Sequence, residues 1–116
     1  MKKAAFITLV SISLLSLASF QLFKTNLRIT VRNELGNLES GATVAVYKTK
    51  EDYEKNVNPV ALDKTDDKGI VTYEDMEPIV YYITAEKGDR NNFGAAEKTE
   101  ALTPNKMNKM TIIISE

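Results

Sequence analysis

The chain has 116 residues with 15 Lys and Arg against 16 Asp and Glu, a net charge of −1, and it contains no Cys, His or Trp. That length suits one small domain, and 43% hydrophobic with 27% charged residues argues against disorder. The missing His and Cys exclude the usual zinc site, a thiol nucleophile and a Ser-His-Asp triad, and the near-neutral charge excludes the basic footprint of a nucleic-acid binder.

Met1-Lys2-Lys3 is a short basic start, and residues 4–15 (AAFITLVSISLL) form an apolar run of signal-peptide length. Ser16 and Ala18 place small residues at −3 and −1, so residues 1–18 are expected to be a signal peptide cleaved after Ala18. Residues 19–26 then form a linker. The alternative is an uncleaved anchor, since residues 4–23 carry no charge. Ser11, Ser13, Ser16, Ser19 and Gln21 dilute that span, which is barely long enough to cross a bilayer. Without a Cys after the apolar run there is no lipid attachment of the lipoprotein kind. Loss of Lys2 and Lys3 takes the net charge from −1 to −3. The chain is therefore expected to be exported, to the periplasm, the cell surface or the medium. A membrane is touched only through an uncleaved N-terminus.

From residue 27 the pattern is that of short strands. Residues 27–32 (LRITVR) and 42–47 (ATVAVY) alternate with period two. Residues 48–58 are polar, with EDYEK able to form one helical turn. Strands are expected at 59–64, 70–74 and 80–87, with a tight turn at Asp66-Asp67-Lys68-Gly69. Residues 88–96 read as a loop, and 97–102 and 109–115 as the last two strands. The inward set is Leu27, Ile29, Val31, Val44, Val46, Leu62, Val71, Tyr73, Met76, Tyr81, Ile83, Met110, Ile112 and Ile114. Seven short strands with regular turns predict an all-β, antiparallel Greek-key sandwich, prealbumin-like or Ig-like, over residues 27–116.

Its spacings carry a resemblance. Leu27-x-Ile29-x-Val31 is followed by Gly36 and by Ser40-Gly41-Ala42-x-Val44-x-Val46-Tyr47. Thr65-Asp66-x-x-Gly69-x-Val71-x-Tyr73-x-x-Met76 and Tyr81-x-Ile83-x-Ala85 come later. This resembles the carboxypeptidase regulatory-like, transthyretin-like β-sandwiches, which include the collagen-adhesin B-type repeats. The segment TDDKG is its most specific piece. One departure is Glu77-Pro78-Ile79-Val80, where family members often carry Pro-Gly. The resemblance implies accessory, adhesive or stalk modules of exported proteins. Transthyretin-like enzymes of purine degradation share such a fold, but their sites use His, which this chain lacks.

The resemblance also raises an internal Lys–Asn isopeptide bond, with Lys24, Asn108 and Glu74 or Glu77 as candidates. The amine must be neutral to attack, so all three groups must be desolvated together. The expected core is already filled by aliphatic residues, so these groups are read as surface residues. Asp63, Asp66, Asp67, Glu74 and Asp75 form an acidic cluster without the spacing of a calcium loop, and read as turn chemistry. Neither a metal nor another cofactor is implied.

The candidate binding surface is drawn from residues that alternation turns outward: Tyr47, Tyr82 and Ile70, with Arg90, Asn92 and Phe93 of the loop 88–96. Segment 48–58 is expected to join that loop. The first and last strands are expected to be edges open to strand addition. The function predicted is a non-catalytic module that binds another protein. A carbohydrate-binding module using Tyr47, Tyr82 or Phe93 is the alternative, and an enzyme is disfavoured because no nucleophile–base pair can be assembled.

Overall fold

The computed structural model describes residues 24–116, so the expected signal peptide and most of the linker lie outside the described residues. The elements are β1 (Asn26–Asn33), β2 (Thr43–Tyr47), α1 (Lys50–Lys55), β3 (Ala61–Lys64), β4 (Ile70–Tyr73), β5 (Tyr82–Lys87), β6 (Arg90–Asn91) and β7 (Met107–Ile114). They form a three-stranded sheet, β4-β1-β7, and a four-stranded sheet, β3-β2-β5-β6. The inner faces close on one core that includes Leu27, Ile29, Val31, Val44, Val46, Ile83, Ile112 and Ile114, all essentially inaccessible to water. The expected all-β sandwich is therefore present.

Several expectations need correction. First, β1 pairs antiparallel with β4 but parallel with β7, with Ile29 opposite both Val71 and Met110. The two parallel strands sit at opposite ends of the chain, so no hairpin obliges them to run antiparallel. Second, β1 lies between β4 and β7 and is not an edge, whereas β7 is. Third, β1 starts one residue earlier than the expected strand. Asn26 opens β1, and Thr25 is buried, its hydroxyl accepting from Asn105 N–H at 2.9 Å and its carbonyl from Met76 N–H at 2.8 Å.

The strand expected at 97–102 is absent as a ladder, and β6 forms inside the expected loop instead. Segment 97–99 runs beside β5 with two backbone bonds, Ile83 N–H to Glu97 O (3.0 Å) and Thr99 N–H to Tyr81 O (2.8 Å), and Tyr81 N–H donates to Thr99 Oγ1 at 3.0 Å. Between it and β6, the Asn92 side chain takes the ladder's place. Its Oδ1 accepts from Ala85 N–H at 2.8 Å and its Nδ2 donates to Ile83 O at 3.1 Å. One buried amide thus satisfies backbone groups that a continuous strand would have paired.

The TDDKG segment explains its own composition. Thr65 Oγ1 donates to Glu39 O at 2.6 Å and accepts from Ala42 N–H at 2.9 Å, which clamps the start of β2. Asp66 Oδ1 accepts from Lys68 N–H at 2.9 Å and Ile70 N–H at 3.0 Å, an Asx turn. These bonds hold the Asp66 carboxyl below the usual carboxylate range, the one to Ile70 most. Gly69 has φ +74, and a Cβ there would sit 3.0 Å from Val31 O and 3.1 Å from Glu39 N. Both the positive φ and the close backbone approach require glycine.

Candidate functional site

On β2 and β5 alternation turns Ala45, Tyr47, Tyr82 and Thr84 to the outer face of the four-stranded sheet, with Ala45 opposite Thr84 and Tyr47 opposite Tyr82. The helix α1 lies over them. Its start is fixed by Thr49, whose side chain accepts from Asp52 N–H, and its end by Asn56 in the left-handed conformation. Glu51 and Asp52 sit in the first turn and Lys55 in the last, as the helix dipole favours, and Lys55 pairs with Glu51 at 2.7 Å. A helix of six residues is not stable alone, so packing must hold it. That packing is Tyr53, whose ring meets Tyr47 edge-on at 6.0 Å and Tyr82 at 5.9 Å. The Tyr53 hydroxyl accepts from Ala96 N–H at 3.0 Å, which ties the loop after β6 to the helix.

The cover changes the fate of the expected surface residues. Tyr47 points outward as expected but is only 2% exposed, and its hydroxyl donates to Asn56 Oδ1. Tyr82 is half-buried against Tyr53. Asn92 is buried in the backbone role described above. Ile70 is half-buried on β4, in the other sheet, so it does not join the rest. Phe93 alone of the outward aromatics stands open, at 52% exposure. It lines a cleft of about 320 Å³ with Tyr53, Glu54, Asn56, Thr84 and Gly94. Segment 48–58 and the loop 88–96 do meet, and this cleft is where.

On the other flank of α1 the sequence misled. Leu62 was expected inside but is 62% exposed. It lies opposite Ala45 on edge strand β3, on the outer face, while Ala61 packs against the core. Val60, just before β3, is 50% exposed, and Val57, just after α1, is 41% exposed. A period-two pattern reads the same for either face of β3, and it is the pairing of Leu62 with Ala45 that turns Leu62 outward.

Arg90 belongs to a different cluster. Glu39 is buried near one end of the sandwich, where Arg90 Nη1 (3.2 Å), Lys87 Nζ (3.2 Å) and Asn33 Nδ2 (3.0 Å) all reach its carboxylate. Its pKa is lowered, first by the Lys87 hydrogen bond and further by Asn33 and Arg90, against the opposing effect of burial. These donors occupy the carboxylate and fasten the β1–β2 loop to the end of β5, a structural role.

The residues considered for an isopeptide bond do not meet its conditions. Lys24, Glu74 and Glu77 are exposed, and the Asn108 amide donates to the carbonyls of Thr103 (3.0 Å), Asn26 (3.2 Å) and Lys106 (3.3 Å). Among the described residues no group of three or more carboxylates is placed to hold a metal ion, and no helix is long and apolar enough to cross a membrane.

No protein-family model and no curated protein matches the chain. Solved structures do. The group B streptococcus pilus 2b backbone protein is similar at TM-score 0.60 and 15% identity, over 78% of this chain and 40% of that one. The Bacillus anthracis TIE protein is similar at TM-score 0.54 and 16% identity, over 77% and 16%. The major pilin subunit of Bacillus cereus is similar at TM-score 0.51 and 17% identity, over 80% and 30%. The chain spans less than half the length of each, and at such identities the likeness is one of fold.

Proposed function

We propose that the protein is an exported, non-catalytic interaction module of the cell envelope or the secreted fraction, and that it binds another protein through the outer face of the four-stranded sheet. The observation that carries this reading is the apolar surface around α1. Val60 and Leu62 lie exposed on the β3 side, Val57 is exposed just after α1, and Phe93 stands beside an open cleft. Exposed apolar side chains gathered around one element mark contact surfaces more than chance would scatter them. An aromatic beside a cleft is a typical anchor. The pilin-like fold of the neighbours supports a surface setting, as does the signal-peptide pattern of residues 1–18.

A glycan is the second reading, favoured only by Phe93, because burial of Tyr47 and half-burial of Tyr82 leave no second stacking ring. Cross-linked co-purification from the native envelope separates the two. A protein partner is expected to be recovered with the unaltered chain and lost with both Leu62→Ser and Phe93→Ser. A glycan ligand is lost with Phe93→Ser and kept with Leu62→Ser. Recovery of the same partner with both variants contradicts the proposed face.

A further inference from the structure

The three-stranded sheet ends at β7, and much of that edge is unpaired. Asn26 N–H donates to Lys106 O, and the parallel register sets Asn26 opposite Met107 and Arg28 opposite Lys109. In this ladder the even-numbered residues of β7 bond β1, and the backbone groups of Met107, Lys109, Thr111 and Ile113 point away from it. Ser115, next in that series, has both its N–H and its carbonyl bonded to Asn91, which confirms the direction. From Met107 to Ile113 no strand pairs with the edge among the described residues. That is a run of about 20 Å.

A groove of about 630 Å³ lies between this edge and segment 98–103. Half-buried Met107 and Met110 line it, with Leu27 and Leu102, both buried in the core, at its base. Its charged lining is Lys98, Lys106 and Lys109 against Glu100 alone. None of these lysines is in an ion pair among the described residues, although the expected mature chain is acidic overall. Beside Lys109 on β1, Arg28 Nε is buried without a hydrogen-bond partner.

We propose that the β7 edge and its groove are a docking site for an extended segment of a partner protein, about seven residues long, with alternating apolar and acidic side chains. Backbone bonds to the four free residues supply pairing, as in other strand additions. Alternate side chains of an added strand point to opposite faces. Apolar ones enter the groove, and acidic ones lie outward beside Lys109 and Arg28. This surface is separate from the α1 face, so its failure leaves the reading above untouched.

The test uses the peptide acetyl-Glu-Val-Glu-Val-Glu-Val-Glu-amide, a non-alternating peptide of the same composition, and a version with Lys for Glu. Each is titrated into isotope-labelled full chain. The alternating acidic peptide is expected to bind with Kd of roughly 100 µM, the scale of a small contact. It should slow amide exchange at Lys109, Thr111 and Ile113 about tenfold and leave Met110 and Ile112 unchanged. Lys109→Glu is expected to weaken binding about fivefold. Thr111→Pro, which removes an edge donor without breaking a β1–β7 bond, abolishes it. Equal binding by the non-alternating or Lys peptide, protection elsewhere, or no binding at all overturns the proposal. So does protection of the same amides by rising protein concentration alone, which assigns the edge to a second copy.

Discussion

On the outer face of the four-stranded sheet, Ala45, Tyr47, Tyr82 and Thr84 lie beneath α1, with exposed Leu62 and Val60 alongside. On the outer face of the three-stranded sheet, Arg28, Thr30, Arg32, Thr72, Lys109 and Thr111 stand in register with half-buried Ile70 and exposed Ile113, and no helix lies over them among the described residues. Both faces follow the same period-two alternation. The difference lies in side-chain chemistry. The covered face is led by the rings of Tyr47 and Tyr82, while on the uncovered face hydroxyl and cationic side chains, which are stable in water, outnumber Ile70 and Ile113. A six-residue helix is enough to bury Tyr47, and it leaves the flanks of its footprint apolar and open.

Removing the cover should cost most. Tyr53→Ala deletes the aromatic that joins Tyr47, Tyr82 and Ala96, and about 3 kcal/mol of stability should be lost in urea unfolding. A loss below about 1 kcal/mol would mean that α1 is not anchored through this ring. Next is Asn92→Ala, which leaves Ala85 N–H and Ile83 O without their amide partner beneath the Phe93 loop. A loss of about 2 kcal/mol is expected, with faster exchange of the Ala85 amide.

Glu39→Gln should cost about 1–2 kcal/mol at pH 7, because three donors face a weaker acceptor. The folded Glu39 pKa is lowered, so its contribution is present above the ordinary value of 4.5 and is lost as pH falls through the folded value. Unfolding curves of the unaltered chain should therefore weaken below about pH 4.5, and those of the variant less so. Smallest is Lys109→Thr on the uncovered face, expected to change stability by less than about 0.5 kcal/mol. A larger loss would show that this face is tied down as the other is.

Much of the sandwich was legible in the sequence. Leu27-x-Ile29-x-Val31, Val44-x-Val46 and Tyr81-x-Ile83 face inward as their alternation requires, and Thr65-Asp66-x-x-Gly69 forms the turn its residue types predict. The polar EDYEK stretch forms its helical turn. The expected binding residues were less legible, for one physical reason: alternation groups residues by face but does not reveal what covers the face. Tyr47 was turned the right way and is nevertheless buried, because its cover is too short to show a helical period. Leu62 is the converse, expected inside and found on the outer face. Asn92 was hidden because a side chain that substitutes for backbone pairing looks like any loop amide. Val57 carried no signal of its own, lying between two elements in a polar stretch.

The α1 face is the proposed working surface. The direct measurement places a photoreactive amino acid at position 62, and in a separate variant at position 72 on the uncovered face, in chains expressed at native level. Irradiation of intact cells should give one discrete protein adduct from position 62 and none from position 72. An adduct from position 72 with none from position 62 would contradict the assignment and move the working surface to the three-stranded sheet.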